Sequence, residues 1–326
     1  MTLAVFLARG ALPASLARTL LRFALQGLLL TGACAAWAVE WQLVPGPAAQ
    51  APSQAEFLRA LQDLGQATPD EPAANAGVRT RGVRAAGAGR VTLALGAEAA
   101  RAALARDPAE PLLLALLSRQ DYDALPAAPR SAARVAVLLR DTAPAEQLKL
   151  VDALLPGRRR LGLVVTAGSE TLLRELQQAA EADGRGWSLQ VATAADPLAL
   201  GPALREVLPR SDVLVLLPDA IGTSQAATLA VLRAAAAAGV PVIGSGEGPV
   251  RSGALAASTS SPAQLARRAH ALGERLLARG GPAAPLLEWA PVAQVRINPH
   301  VARSLDLRLP SEQALTQRLA VPPGGS

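Results

Sequence analysis

Residues 212–247 read DVLVLLPDAIGTSQAATLAVLRAAAAAGVPVIGSGE, and they decide the fold class. Val213 to Leu217 is a continuous apolar run bounded by Asp212 and Pro218. It is short enough for a strand buried on both faces. Pro218 to Gly222 reads as a loop, and Thr223 or Ser224 can cap the next helix. That helix, Gln225 to Ala238, is rich in Ala and Leu, which favour helix, and Gly239 ends it. Val240 to Ile243 is a second strand, left through the flexible loop Gly244-Ser245-Gly246-Glu247-Gly248. A strand–helix–strand unit of this kind is a parallel crossover. Its two post-strand loops lie at one edge of the sheet, where open α/β sheets bind ligands.

The same alternation runs outward from this unit along nearly the whole chain. On the N-terminal side, helix is expected over Ala55–Leu64, an edge strand over Val78–Val83 and a buried strand over Val91–Leu95. Next come a helix over Ala99–Arg106 and strands over Pro111–Leu117 and Ala133–Leu139. Arg119–Arg130 between those strands reads as loop. Ala143–Leu155 is a helix stopped by Pro156-Gly157, and Leu161–Val165 is a strand. Thr166-Ala167-Gly168-Ser169 caps the helix Glu170–Ala182. On the C-terminal side come an apolar crossing over Gly253–Ser258, a helix over Pro262–Ala278 and a strand over Val292–Ile297. Asn298–Leu319 is a tail with one short helix. Such alternation predicts α/β architecture, with two Rossmann-like lobes of parallel sheet flanked by helices.

Composition narrows the function. The chain has 326 residues, enough for two lobes, and is 51% hydrophobic and 18% charged. The formal net charge of +6 rests on arginines spread over the whole chain, with Lys149 the only lysine. No basic stripe carries interleaved aromatics, so nucleic acid is not an expected partner. Arg9, Arg18 and Arg22 precede the apolar run Phe23–Gly32, and Ala36-Trp37-Ala38 fits a small-x-small cleavage rule. Residues 1–38 therefore read as a Sec-type signal peptide, which implies a periplasmic location. Leu30 to Cys34 faintly resembles a lipoprotein box, which leaves a lipidated or uncleaved, membrane-anchored form as the alternative. Cys34 is the only cysteine, so the chain after residue 38 has neither disulfide nor thiol nucleophile.

Little in the chain is enzyme-like. The only histidines are His270 and His300, neither within a metal-spaced cluster. No Ser occupies a G-x-S-x-G elbow, and Lys149 lies mid-helix rather than in a phosphate loop. Gly244 to Gly248 comes directly after a strand, but its third glycine is misplaced for a dinucleotide turn. No catalytic residue and no cofactor are expected.

Four stretches carry a family resemblance. They are Val91–Ala99 (VTLALGAEA), Glu146–Val165 (EQLKLVDALLPGRRRLGLVV), Asp212–Gly253 with the Gly253–Ala256 crossing, and Asn298–Pro310 (NPHVARSLDLRLP). In order and spacing they resemble the periplasmic substrate-binding proteins of ABC transporters, in the tryptophan/tyrosine-type branch with a type I periplasmic-binding fold. The resemblance covers roughly residues 85–320. It implies a hinged pair of lobes closing on a small-molecule solute, an inner-membrane ABC permease as partner, and a monomer. The expected division is 39–141 with 257–287 for lobe 1, and 142–256 with 288–326 for lobe 2. A degenerate binding-fold protein serving as sensor or envelope adaptor is the alternative, and an enzyme on the same fold a more distant one.

The cleft of such a protein is lined by loops at the carboxyl ends of strands. In lobe 1 these loops supply Gly96, Ala97, Glu98 and Ser118; in lobe 2 they supply Thr166, Ser169, Asp219, Ser245 and Glu247. Backbone N–H groups near Ala97 and Ser169 can meet an anionic group, while Asp219 and Glu247 can take an ammonium or hydroxyls. Removing either carboxylate is expected to weaken binding and leave the solute-free protein's melting little changed. Tyr122 and Trp289 are the only aromatics near the expected cleft or hinge. Ala256-Ala257-Ser258 stands where family members often carry an aromatic, so a small polar solute is favoured over a stacked ring.

Overall fold

The computed structural model describes residues 39–44, 52–66, 89–106, 110–126, 134–278 and 286–320. The leader, the linker around residues 68–75 and the edge strand expected at Val78–Val83 lie outside these residues.

Two sheets organise the described residues. The first is five-stranded and parallel, in the order β1 (Val39–Leu43), β2 (Gly89–Leu95), β3 (Leu112–Leu117), β4 (Val135–Thr142), β10 (Leu286–Ala290). The second has six strands, in the order β11 (Gln294–Ile297), β9 (Ala256–Thr259), β8 (Val242–Ile243), β7 (Val213–Val215), β5 (Arg160–Val165), β6 (Ser188–Thr193). All of its pairings are parallel except the edge pair β11–β9. The two-lobed α/β class read from the alternating pattern is thus the observed one.

The continuous apolar strands have a simple cause: each sheet is covered on both faces. In β3, Leu113 and Ala115 join one core with helices α1 (Pro52–Gln66) and α10 (Pro262–Leu277). Leu112, Leu114 and Leu117 join another core with helix α2 (Gly96–Leu104). In the second lobe Leu161, Leu163, Val213 and Val215 face helices α4 (Pro144–Leu154) and α5 (Glu170–Asp183). Val164 and Leu214 point the other way, onto α6 (Gly201–Val207) and α8 (Gln225–Ala237). A strand sandwiched in this way has no polar face to alternate with. Gly162 shows how tight the packing is, since a Cβ there would lie 2.2 Å from Ser211 Oγ and 2.4 Å from Leu214 Cδ2.

Among the described residues three segments join the lobes: Ala143 between β4 and α4, Ser260-Ser261 between β9 and α10, and residues 291–293 between β10 and β11. The Ser260 hydroxyl donates to the Pro291 carbonyl, and Ala293 N–H donates to the Thr259 carbonyl at 3.0 Å, so two crossings are bonded together. The boundaries expected at 256/257 and 287/288 therefore fall inside β9 and β10, each of which belongs wholly to one sheet. Trp289, at a register shift of β10, packs against cores of both lobes.

Several elements differ from the sequence reading. Gly253–Ser258 reads as a crossing, yet Ala256–Thr259 is a strand held between β8 and β11. Residues 119–123, expected as loop, form the short helix α3 (Arg119–Asp123). Glu247 opens helix α9 (Glu247–Ser252) rather than lying in a flexible loop. The tail holds two helices, α11 (Pro299–Ser304) and α12 (Glu312–Ala320). Leu315 and Leu319 of α12 complete a core that also holds α4 residues.

Candidate functional site

In the second sheet the chain runs from β5 outward to β6 and then returns to β7 on the other side of β5. That reversal creates a crevice at the carboxyl ends of β5 and β7, the position where doubly wound sheets bind ligands. Thr166–Ser169 leaves β5 there, and Asp219 leaves β7. They meet: Ser169 Oγ donates to Asp219 Oδ2 at 2.7 Å, and both residues are almost wholly buried.

Asp219 is fully engaged. Its Oδ1 accepts the N–H groups of Ile221 at 3.0 Å and Gly222 at 3.1 Å, capping the single-turn helix α7 (Ala220–Thr223). Burial pushes its carboxyl pKa up, opposed by the bonds from Ser169 and the two backbone N–H groups. Gly222 has no room for a side chain, because a Cβ would lie 2.0 Å from the Leu217 carbonyl oxygen and 3.2 Å from Ser245 Oγ. Asp219 thus holds the turn together. Its removal is therefore expected to cost the solute-free protein stability, in place of the little-changed melting expected from the sequence.

The other expected residues divide by their partners. Ser118 is buried and forms a capping box with Asp121 at the start of α3. Glu247 is exposed, with Arg251 at 3.7 Å and Arg296 at 4.0 Å. Ser245 is half-buried, beside Gly222. Gly96, Ala97 and exposed Glu98 form the first turn of α2, which has no side-chain cap. Helix α5 likewise lacks one, because the Ser169 hydroxyl is turned to Asp219. The amides of the first turn of α2 are left for other acceptors, whereas at the start of α5 the Glu170 carboxylate accepts the N–H groups of Gly168 and of Glu170 itself. Thr166 is 6% exposed, and among the described residues its Oγ1 has no hydrogen-bond partner.

A pocket of about 390 Å³ opens beside Thr166. Val165–Ala167, Ser169, Glu170 and Leu173 line one side, and Val191 with Thr193–Ala195 line the other. The sequence gives no sign of the part these last residues play in the site. The available signal is positional, since they leave the carboxyl end of β6 beside β5.

The first lobe meets this region through α3. Gln120 Nε2 donates to the Gly168 carbonyl at 3.3 Å, and Arg119 Nε donates to Glu175 Oε1 at 3.0 Å. Arg119 N–H donates to Asp141 Oδ2 at 2.7 Å. Burial raises the Asp141 pKa to about 6, partly offset by that bond and by the Arg140 charge. Tyr122 packs on the lobe 1 core under the Arg119 guanidinium, 5.4 Å from its ring centre. Tyr122 and Trp289 are therefore both committed to packing. Among the described residues no cluster of His, Cys, Asp and Glu could hold a metal ion, and no helix is long and apolar enough to cross a membrane.

This architecture, with two three-layered lobes, three crossings and a crevice at a sheet's switch point, is that of a periplasmic-type binding protein. Residues 131–317 match the family described as ABC transporter substrate binding protein, and the chain belongs to that family. Among solved structures it is similar to the ligand-free, open form of a substrate-binding protein with adhesive properties from Clostridium difficile. That match has TM-score 0.58 and 17% identity, over 84% of this chain and 95% of the other. It is also similar to a conserved domain protein from Vibrio cholerae, with TM-score 0.50 and 22% identity over 82% of each chain. A third is an ABC domain in complex with L-Trp from Streptococcus pneumonia, with TM-score 0.49 and 15% identity, over 82% of this chain and 84% of the other. No curated protein sequence matches the chain.

Proposed function

We propose that this protein is the extracytoplasmic solute-binding component of an ABC uptake system, exported by its N-terminal leader and delivering its solute to a membrane permease. The solute is a small polar molecule with an anionic group, seated at the carboxyl end of β5 in the second lobe, over the pocket between the ends of β5 and β6. The observation that carries this reading is the pairing, beside one pocket, of an uncapped helix start with the unpartnered Thr166 hydroxyl. Helix N-termini favour anions through their free N–H groups and dipole. A buried hydroxyl without a partner costs stability until something bonds to it. Glu170 at the pocket sets a limit, because its carboxylate accepts from Gly168 N–H at 2.9 Å and repels a second anion placed beside it. The anionic group is therefore assigned to the Thr166 side of the loop. Gly96-Ala97, Glu98 and Ser118 from lobe 1, and Ser169, Asp219, Ser245 and Glu247 from lobe 2, complete the proposed cleft. In that set Ser118, Ser169 and Asp219 shape the loops rather than touch the solute.

A thermal-shift screen of amino acids, nucleosides and small organic acids, with calorimetry on each hit, tests the reading. Hits confined to anionic solutes support it. Hits confined to cationic or wholly apolar compounds contradict it. Turnover of an ester, phosphoester or glycoside substrate would replace binding with an enzyme on the same fold.

A further inference from the structure

We propose that Arg119 is an interlobe strap that keeps the two lobes of the solute-free protein together beside the crossings. Its backbone N–H is bonded to Asp141, near the end of the last strand before the first crossing. Its side chain leaves lobe 1 and reaches Glu175 on α5 of lobe 2, with Nε at 3.0 Å from Oε1. Asp123 of its own lobe holds Nη1, and the Tyr122 ring lies against the guanidinium. The Arg119 side chain is only 11% exposed and that of Glu175 24%, unlike most ion pairs of this chain. Among the described residues, Arg119–Glu175 is the ion pair that joins the lobes. The Gln120–Gly168 bond lies next to it and crosses in the same direction.

The backbone is shaped for this reach. Leu116 takes a left-handed φ of 60°, and the pairing of β3 with β4 shifts register between Ala115 and Leu117. A branched side chain in that region costs about 1 kcal/mol or more, and the bulge turns Ser118 and Arg119 out of the line of the sheet. The Ser118–Asp121 capping box then fixes the start of α3. Strain, bulge and cap all serve to project Arg119 toward the other lobe.

A partly buried, charge-assisted bond shifts a two-state equilibrium by roughly ten- to a hundredfold. Separation of the lobes breaks this bond but leaves Arg119–Asp123 intact, since that pair lies within one lobe. The strap rests on the two-lobed cleft only for its consequence, a solute-free protein held near the joined arrangement. No solute enters its test.

Spin labels at Arg101→Cys in lobe 1 and Gln225→Cys in lobe 2, both exposed, report lobe separation in a full-length Cys34→Ala background. Pulsed-EPR distances are measured without added solute. Glu175→Gln and Arg119→Gln are each expected to add a longer-distance population absent from the parent. Asp123→Asn, which removes only the same-lobe partner, is expected to keep the parent distribution. Unchanged distances in Glu175→Gln overturn the strap. Equal opening in Asp123→Asn also overturns it, because α3 would then act through its own lobe. Melting curves for all three variants verify folding, and a failed solute screen leaves these outcomes as they stand.

Discussion

Asp219 and Asp141 are both buried carboxylates near the proposed cleft, and their partners give them different work. Asp219 accepts three hydrogen bonds, and its loss leaves two backbone N–H groups and a serine hydroxyl without a partner. Asp219→Ala is expected to lower unfolding free energy by about 2–3 kcal/mol, read from denaturant melts. Asp141 accepts one strong bond and titrates near pH 6, against an ordinary 3.8. Its folded-state pKa is the higher one, so the folded protein holds this proton more tightly than the unfolded chain does. The favourable contribution is complete below about pH 4 and is lost as pH rises to about 6, roughly 3 kcal/mol in all. Asp141→Asn keeps an oxygen for Arg119 N–H and removes the buried charge. Its melts at about pH 4 are expected to match the wild type, and at about pH 8 to lie higher. A stability difference from the wild type that is the same at both pH values would show that this carboxyl is not raised in the folded protein. None of this is visible in the sequence, where Asp219 is one carboxylate at a strand end. Its role is set by Ser169, which is fifty residues away in the chain.

At the scale of elements, strands with local apolar runs are legible and strands made by their partners are not. Val91–Leu95, Leu112–Leu117 and Leu161–Val165 carry enough β-branched or leucine-rich sequence to mark themselves. Ala256–Thr259 does not. Its Ala-Ala-Ser-Thr becomes a strand because β8 and β11 offer edges on both sides. β10 escapes sequence reading for a similar reason, as it is a five-residue segment paired with β4 alone. Helix α3 is too short to show a period and is set by its capping box, a Ser118-x-x-Asp121 signal that the loop reading passes over. The sandwich packing makes one element-level forecast. Gly162→Ala drives a methyl into Ser211 and Leu214 between β5 and β7. It should cost about 1–3 kcal/mol in a denaturant melt. A melt unchanged by this substitution would contradict the close β5–β7 approach.

For the whole molecule, the order of motifs identifies the two-lobed class correctly, because alternating strands and helices admit few architectures. The site is legible only as a set of strand ends. Which of those residues are free for a solute depends on partners brought together by folding. Of the lobe 2 residues expected, Thr166 is the buried one with an uncommitted side-chain oxygen, whereas Ser169 and Asp219 bond to each other. Thr166→Val therefore tests the central claim most directly, by calorimetry with a solute found in the screen and by melting without it. Replacing a partnerless hydroxyl by a methyl should leave the solute-free protein as stable as before or slightly more so. The same change should weaken solute binding by about tenfold. Unchanged affinity in Thr166→Val would contradict a solute seated at the carboxyl end of β5 in the second lobe.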